Sequence, residues 1–332
     1  MTAGLPCLRT VPSPLASRPR AGADLHVHTT HSDGLCSPCE VVIAAAGAGL
    51  AALAITDHDM VAALAIARPE ATRLGLELVA GAELTCELNG REVHLLGHFL
   101  DDDDPSLLAA LGRLRAGRGP RLQAMAEKLR DHGLVLDLDA LRQCFPRAVL
   151  GRRHAAMYLA RTGQVASVRE VFASFLGDGC PACVPKPRLD VFQAIGLVRS
   201  AGGVAGLAHP PYDLRAATLG QLAAAGLGAI EVAGPGISNR LGQRFRAWAD
   251  EFHLVPIAGS DFHAPDRPGR WVGSITTPPA DLERLRRARP ANPSSDSSAE
   301  SLEFNRVDDE PGTRQRHSKH PPYPPFARGG KD

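Results

Sequence analysis

Six short stretches of the chain place imidazoles and carboxylates where they could share a site. Asp24-Leu25-His26-Val27-His28 runs into Thr29-Thr30-His31-Ser32-Asp33-Gly34. Two histidines at i and i+2 on a strand point to the same face, so both imidazoles can reach one ion. A second apolar run leads directly into Asp57-His58-Asp59, and a third ends in Gly81-Ala82-Glu83. A fourth carries His94 inside Val93-His94-Leu95-Leu96-Gly97-His98. Two later runs end in Ala208-His209-Pro210 and in Gly259-Ser260-Asp261-Phe262-His263. Any one of these histidines, taken alone, reads as an ordinary hydrogen-bonded residue. Taken together, in phase with the strands, they do not.

The elements that would carry them alternate. Candidate strands are Asp24–His28, Ala52–Thr56, Glu77–Glu83, Glu92–Phe99, Gly203–Leu207, Ala229–Val232 and Leu254–Ala258. Between them lie helical stretches at Pro38–Ala48, Val61–Leu74, Leu189–Ala201, Leu219–Ala225 and Arg240–Phe252. Such alternation predicts βαβ units and a parallel sheet or barrel. In a parallel α/β barrel the carboxyl ends of the strands converge on one mouth, where catalytic groups sit. Five strand ends and one strand interior here carry a histidine or an acid. The rhythm breaks over residues 101–186, which read as helical throughout: Leu107–Arg115, Arg121–Asp131, Arg152–Arg161 and Ser167–Phe175. The expected organisation is therefore a barrel built from 23–100 and 187–288, with 101–186 as a helical insert. Residues 1–22 and 289–332 are rich in Pro, Ser and mixed charge and are expected to be disordered tails.

Composition limits the alternatives. The 332 residues hold 37 Lys+Arg against 36 Asp+Glu, a formal charge of +1. No global basic field exists to hold a long nucleic acid, whose affinity comes mostly from phosphate neutralisation. No apolar run approaches the ~18–20 residues needed to span a bilayer, and residues 1–22 lack a signal-like apolar core. Seven cysteines, an odd number in a long chain, argue against a disulfide framework and for a reducing compartment, so a cytoplasmic location is expected.

The set His-X-His, Ser-Asp-Gly, Thr-Asp-His-Asp, Gly-X-Glu, Ala-His-Pro and Gly-Ser-Asp-Phe-His resembles the polymerase and histidinol phosphatase superfamily, in order and over about residues 23–288. The resemblance implies an α/β fold, a distorted seven-stranded (β/α) barrel with a helical insertion, holding two or three divalent metals. It is closest to the nucleoside 3′,5′-bisphosphate phosphatase branch, which includes a 5′→3′ oligoribonuclease. Carried over residue by residue, it implies a first metal on His26, His28, Glu83 and Asp261. Glu83 then bridges to a second on His94 and His209, and Asp33, His58 and His263 hold a third. Mixed imidazole and carboxylate ligation suits Mn²⁺, Fe²⁺ or Zn²⁺ better than Ca²⁺ or Mg²⁺.

Cations about 3.5–4 Å apart lower the pKa of a bridging water and neutralise phosphoryl oxygens, so the implied chemistry is phosphoester hydrolysis by a metal-bridging hydroxide. Asp59, beside His58, is a candidate proton donor to the leaving group, or equally a carboxylate that orients a histidine. In the insert, Arg118, Arg121, Arg153 and His154 align with the family's substrate-binding segments, and Lys186 could also reach phosphate; the alternative is solvated helix faces. Where the related branch has an Arg-Tyr pair after Ala-His-Pro, this chain has Pro211-Tyr212-Asp213. Cys36/Cys39 and Cys180/Cys183 have zinc half-site spacing, although small buried thiols are the simpler reading. The expected substrate is a small phosphorylated metabolite, first a nucleoside 3′,5′-bisphosphate. Short RNA cleaved from its 5′ end, histidinol phosphate, or a non-catalytic metal-binding module remain as alternatives.

Overall fold

The computed structural model describes residues 22–146, 148–265 and 270–290. Both expected tails lie outside the described residues except at their inner edges. Seven strands follow one another around a nearly closed sheet: β1 (Ala23–Asp24), β2 (Ala52–Ile55), β3 (Glu77–Leu88), β4 (Arg91–His98), β6 (Val204–Leu207), β7 (Ala229–Ala233) and β8 (Val255–Ala258). A two-residue strand, β5 (Leu189–Asp190), pairs beside this path with the far end of β3 at Cys86 and Glu87. Past the short β1 the chain stays against β8 and the segment that follows it, with the Leu25 amide donating to the Ala258 carbonyl at 3.4 Å and the His28 amide to the Phe262 carbonyl at 2.9 Å. The strands are buried on both faces, as expected for a sheet wrapped in helices.

Two features differ from the sequence expectation. β4 runs antiparallel to both neighbours, so the sheet is mixed rather than parallel. β3 also does not stop at Glu83. It continues to Leu88 and turns through Asn89 and Gly90, at φ 53° and 77°, directly into β4. Two left-handed residues in Asn-Gly order are the favoured two-residue hairpin connection. Because β4 runs the opposite way, its first half lies at the mouth that the other strands reach with their carboxyl ends. His94 is therefore at the mouth while His98, four residues on, is buried and hydrogen-bonded to the Leu25 carbonyl at 2.9 Å.

The helices begin where local chemistry dictates. In α1 (Pro38–Gly47), Ser37 accepts from the Glu40 amide while Glu40 caps the Ser37 amide, and Pro38 opens the first turn. The helix α2 (Ala63–Leu74) ends on Gly75 at φ 60°. Leu25, Val79, Leu96 and Ile257 fill the barrel, and Leu282 and Leu285 of a C-terminal helix (Pro279–Arg287) pack against them.

The insert contains α3 (Pro105–Ala116), α4 (Arg118–Arg130), α5 (Leu138–Cys144), α6 (Arg152–Arg161) and α7 (Val168–Val171), the last followed by a π-helical turn at Phe172–Leu176. Its first helix packs on the barrel through Leu107, Leu111 and Leu114. The others share a separate core that includes Leu122, Met125, Leu141, Leu159 and Val171.

Candidate metal centre

Glu83, Thr85, His94 and Leu96 point to one face, because Thr85 lies opposite His94 and Glu83 opposite Leu96 in the β3–β4 ladder. Around Glu83 the chain gathers five imidazoles. Its Oε1 lies 2.9 Å from His94 Nδ1 and 3.0 Å from His209 Nε2. Its Oε2 lies 2.9 Å from His58 Nδ1, 3.4 Å from His26 Nε2 and 3.3 Å from His28 Nε2. Asp261 Oδ1 completes the His26/His28 group at 3.4 and 3.3 Å. A further group joins His28, Asp33, His58 and His263. Within it Asp33 Oδ1 is 3.3 Å from His263 Nε2 and 3.8 Å from His58 Nε2. All nine residues expected to bind metal thus come together at the mouth. His58 departs from the expected grouping by serving two sets, with one nitrogen toward Glu83 and the other toward Asp33.

The donor set fits divalent cations. His26 and His28 aim their Nε2 atoms at each other across 3.1 Å. Among the described residues, Glu83 Oε2, His58 Nδ1 and Asp33 Oδ1 are buried without a hydrogen-bond partner, although His58 Nδ1 lies 2.9 Å from Glu83 Oε2 and His263 Nε2 lies 3.3 Å from Asp33 Oδ1. Atoms at this spacing without hydrogen-bond alignment are arranged as ligands around an ion. The electrostatics agree. Burial opposes charge on His28, yet Asp261 and Glu83 outweigh it and raise its pKa to about 10. The same contest, with Glu83 and Glu92, takes His94 to about 9, and Glu231 and Glu83 carry His26 upward. Burial dominates at His58, which falls to about 4. Three imidazoles thus hold protons that a cation would replace.

A surrounding layer fixes these groups. Glu231 accepts from His26 Nδ1–H at 3.0 Å and from the His209 amide at 2.5 Å. His263 donates Nδ1–H to the Asp261 carbonyl at 2.9 Å, which leaves Nε2 free to face Asp33. Asp57 ties down the loop bearing Asp33, accepting from the Thr29 amide, Thr29 Oγ1 and Ser32 Oγ at 2.7, 2.6 and 2.5 Å. Asp59, His209 and Asp261 adopt φ of 55°, 25° and 48°, strained for residues with a side chain.

The insert meets this centre through Asp59. Arg115 donates to the Asp59 carbonyl at 2.7 Å and Arg118 to its Oδ2 at 2.5 Å. The Thr85 amide and hydroxyl occupy the remaining positions at 2.8 and 3.1 Å. Burial works against the Asp59 charge, but Arg118 and Lys186 prevail and hold its carboxyl below the ordinary value. That is the setting of an ionised carboxylate with both oxygens engaged. It does not suit the proton-donor role expected of Asp59.

The other expected substrate residues separate. Among the described residues, the Arg118 Nε is buried without a hydrogen-bond partner. His154 is buried, accepts from the Gly151 amide on Nδ1 at 3.1 Å, and is pushed by burial to about 4 while feeling Asp33, Arg118, Arg153 and His58. Arg153 precedes it on α6. Arg121 spends its Nε on the Val184 carbonyl at 2.6 Å, and Lys186 faces Glu92 at 3.1 Å. The four-cysteine zinc site is not formed: among the described residues, no group of side chains close enough to hold an ion contains a cysteine. Cys39, Cys180 and Cys183 carry free thiols, and Cys39 faces the Ile66 carbonyl while Cys180 faces those of Phe172 and Ala173. Glu92 and Asp57 are participants that residue types alone did not single out. Glu92 carried a signal, since it lies two residues before His94 on the same strand face.

Residues 24–139 match the family described as the PHP domain. A 3′,5′-nucleoside bisphosphate phosphatase from Chromobacterium violaceum is 37% identical over 259 residues, 76% of this chain and 91% of that protein. A 5′-3′ exoribonuclease from Haemophilus influenzae is 34% identical over 247 residues, 73% of this chain and 90% of that protein. Among solved structures, one described as a metal-dependent phosphoesterase from Bifidobacterium adolescentis superposes with a TM-score of 0.76 at 27% identity, covering 84% of this chain and 99% of that one.

Proposed function

Since this chain belongs to the PHP-domain family of metal-dependent phosphoesterases, we propose that it removes a phosphate from nucleoside 3′,5′-bisphosphates. Bound divalent cations supply the charge that neutralises phosphoryl oxygens and the acidity that activates water at neutral pH. The protein's part is to hold them. In this reading His26, His28, Glu83 and Asp261 form one site; Glu83, His94 and His209, with His58 alongside, form a second; Asp33, His58 and His263 form a third. Mn²⁺, Fe²⁺ and Zn²⁺ are the cations that this donor set suits.

The observation that carries the substrate class is Arg118. It is pinned by Asp59 one residue from His58, and its buried Nε has no hydrogen-bond partner among the described residues. A guanidinium fixed beside the scissile site suits a second phosphate, with Arg153 and His154 behind it. Arg121 and Lys186 are not assigned to substrate, because the Arg121 Nε is held by the Val184 carbonyl and Lys186 Nζ faces Glu92. The exoribonuclease relative favours a second reading, in which the anion on Arg118 belongs to the next nucleotide of a short RNA.

Purified protein with Mn²⁺, given 3′-phosphoadenosine 5′-phosphate, histidinol phosphate and a short 5′-phosphorylated RNA, tests the proposal. Preference for the bisphosphate is expected. Preference for RNA moves the chain to the second reading, and preference for histidinol phosphate overturns both.

A further inference from the structure

Glu92 belongs to no expected ligand set, yet it faces both the metal centre and the insert. It is exposed only to 17%, and its Oε1 lies 3.2 Å from His94 Nε2 and 3.1 Å from Lys186 Nζ. Its Oε2 lies 3.4 Å from Arg188 Nε. His94 is thus held between two carboxylates, with Nδ1 turned to Glu83 and Nε2 to Glu92. An imidazole that gives Nε2–H to a carboxylate keeps its Nδ1 lone pair for an ion, and the carboxylate makes that nitrogen a stronger donor. Lys186 and Arg188 come from the segment where the insert returns to the barrel, anchored where Leu189 and Asp190 pair with Cys86 and Glu87.

We infer that Glu92 is a positioning residue that fixes His94 in its metal-binding orientation, and that Lys186 acts through Glu92 rather than on substrate. This rests on the metal reading of the centre. Its consequence is a division of labour in the insert. Arg118 faces the substrate's second anion, whereas Lys186 and Arg188 hold Glu92 in place beside His94.

The test is the Mn²⁺ affinity of the metal-stripped full chain, read by competition with a chelating dye. The variants are His94→Ala, Glu92→Ala, Glu92→Gln, Lys186→Ala and Glu87→Gln. Removing a group that orients a metal-binding histidine typically weakens metal affinity roughly 10–100-fold, and that is expected of Glu92→Ala at the site His94→Ala destroys. Glu92→Gln keeps an acceptor without the charge and should fall between it and wild type. Glu87→Gln removes the other carboxylate on Arg188, 3.4 Å away, and should change affinity by less than about twofold. Lys186→Ala should lower kcat equally for a bisphosphate and a monoester. Wild-type affinity in Glu92→Ala, with His94→Ala impaired, overturns the inference and leaves the metal reading standing. Wild type and His94→Ala alike would instead overturn the metal reading. If Glu92→Ala does not fold, Glu92→Gln decides: a loss greater than that of Glu87→Gln supports the role and parity overturns it. A Lys186→Ala defect confined to KM for the bisphosphate would return Lys186 to the substrate site.

Discussion

Arg118→Ala is the sharpest perturbation of the proposed substrate site. The Arg118 side chain is 11% exposed and the Asp59 carboxylate 2%, with Nη2 and Oδ2 2.5 Å apart. Breaking a buried pair from one side costs about 3–5 kcal/mol when the remaining charge is stranded. Here Thr85 still donates twice to Asp59, so the stability loss should lie nearer about 2–3 kcal/mol. The catalytic effect is separable from that. Losing a charge-assisted hydrogen bond to a second phosphate costs about 1.5–3 kcal/mol, or roughly 10–150-fold in kcat/KM. A monoester such as p-nitrophenyl phosphate carries only the phosphate that sits on the cations, and its kcat/KM should fall less than about threefold. Both substrates would be measured below the melting transition, with metal content checked. Asp59→Asn, which leaves Arg118 in place but loosens it, should show the same selectivity to a smaller degree. Equal losses on both substrates in Arg118→Ala would place the guanidinium at the scissile phosphate, and no loss on either would make it a structural clamp. Either result refutes the second-phosphate assignment. If Asp59→Asn instead cuts both substrates and removes the alkaline limb of the rate profile, the proton-donor role is restored.

Glu83→Ala removes the carboxylate shared by five imidazoles, so elemental analysis should find at least one ion fewer per chain and activity should fall further than for any insert arginine. Asp57→Ala leaves the Thr29 and Ser32 donors unpaired; a stability loss of about 3 kcal/mol by denaturant unfolding is expected, with weaker metal retention at Asp33. The pH dependence should change sign with metal. In the metal-free chain the folded-state pKa of His28 and His94 lies at about 10 and 9, above the ordinary 6.5. Their pairing with Glu83 and Asp261 is therefore fully present below about pH 6.5 and lost as pH rises through about 9–10, so the metal-free melting temperature should decline across that window. Mn²⁺ competes with those protons, so its affinity should rise with pH over the same window, read by dye competition.

How far this was legible in the chain depends on what each signal encodes. The ends of β2, β6 and β8 could be found because a buried apolar run stops at a polar residue that reaches the mouth, as at His209 and Asp261. Orientation has no such signature. An apolar run reads the same in both directions, so β4 passed as one more parallel strand, and its reversal explains why His94 lies inside a strand rather than at its end. The hairpin was available, because Asn89-Gly90 between two alternating runs is a direct turn signal. Ending β3 at Glu83, as the catalytic-end pattern suggested, hid it. The helix at Leu138–Cys144 is short and depends on Asp137 accepting from the Asp139 and Ala140 amides, a local cap rather than a periodicity.

The site's strained residues were illegible for a related reason. A left-handed φ normally announces itself as glycine, but Asp59, His209 and Asp261 each need a side chain for their contacts and take the strain instead. The compensation is spread across the fold: Glu231 holds the His209 amide, and Thr85, Arg115 and Arg118 hold Asp59. Two of those three holders of Asp59 come from the insert, some fifty-five to sixty residues further along the chain. The insert thus adds two contacts to those that Thr85 makes in holding the loop beside His58. That makes the helical segment part of the construction of the candidate metal centre.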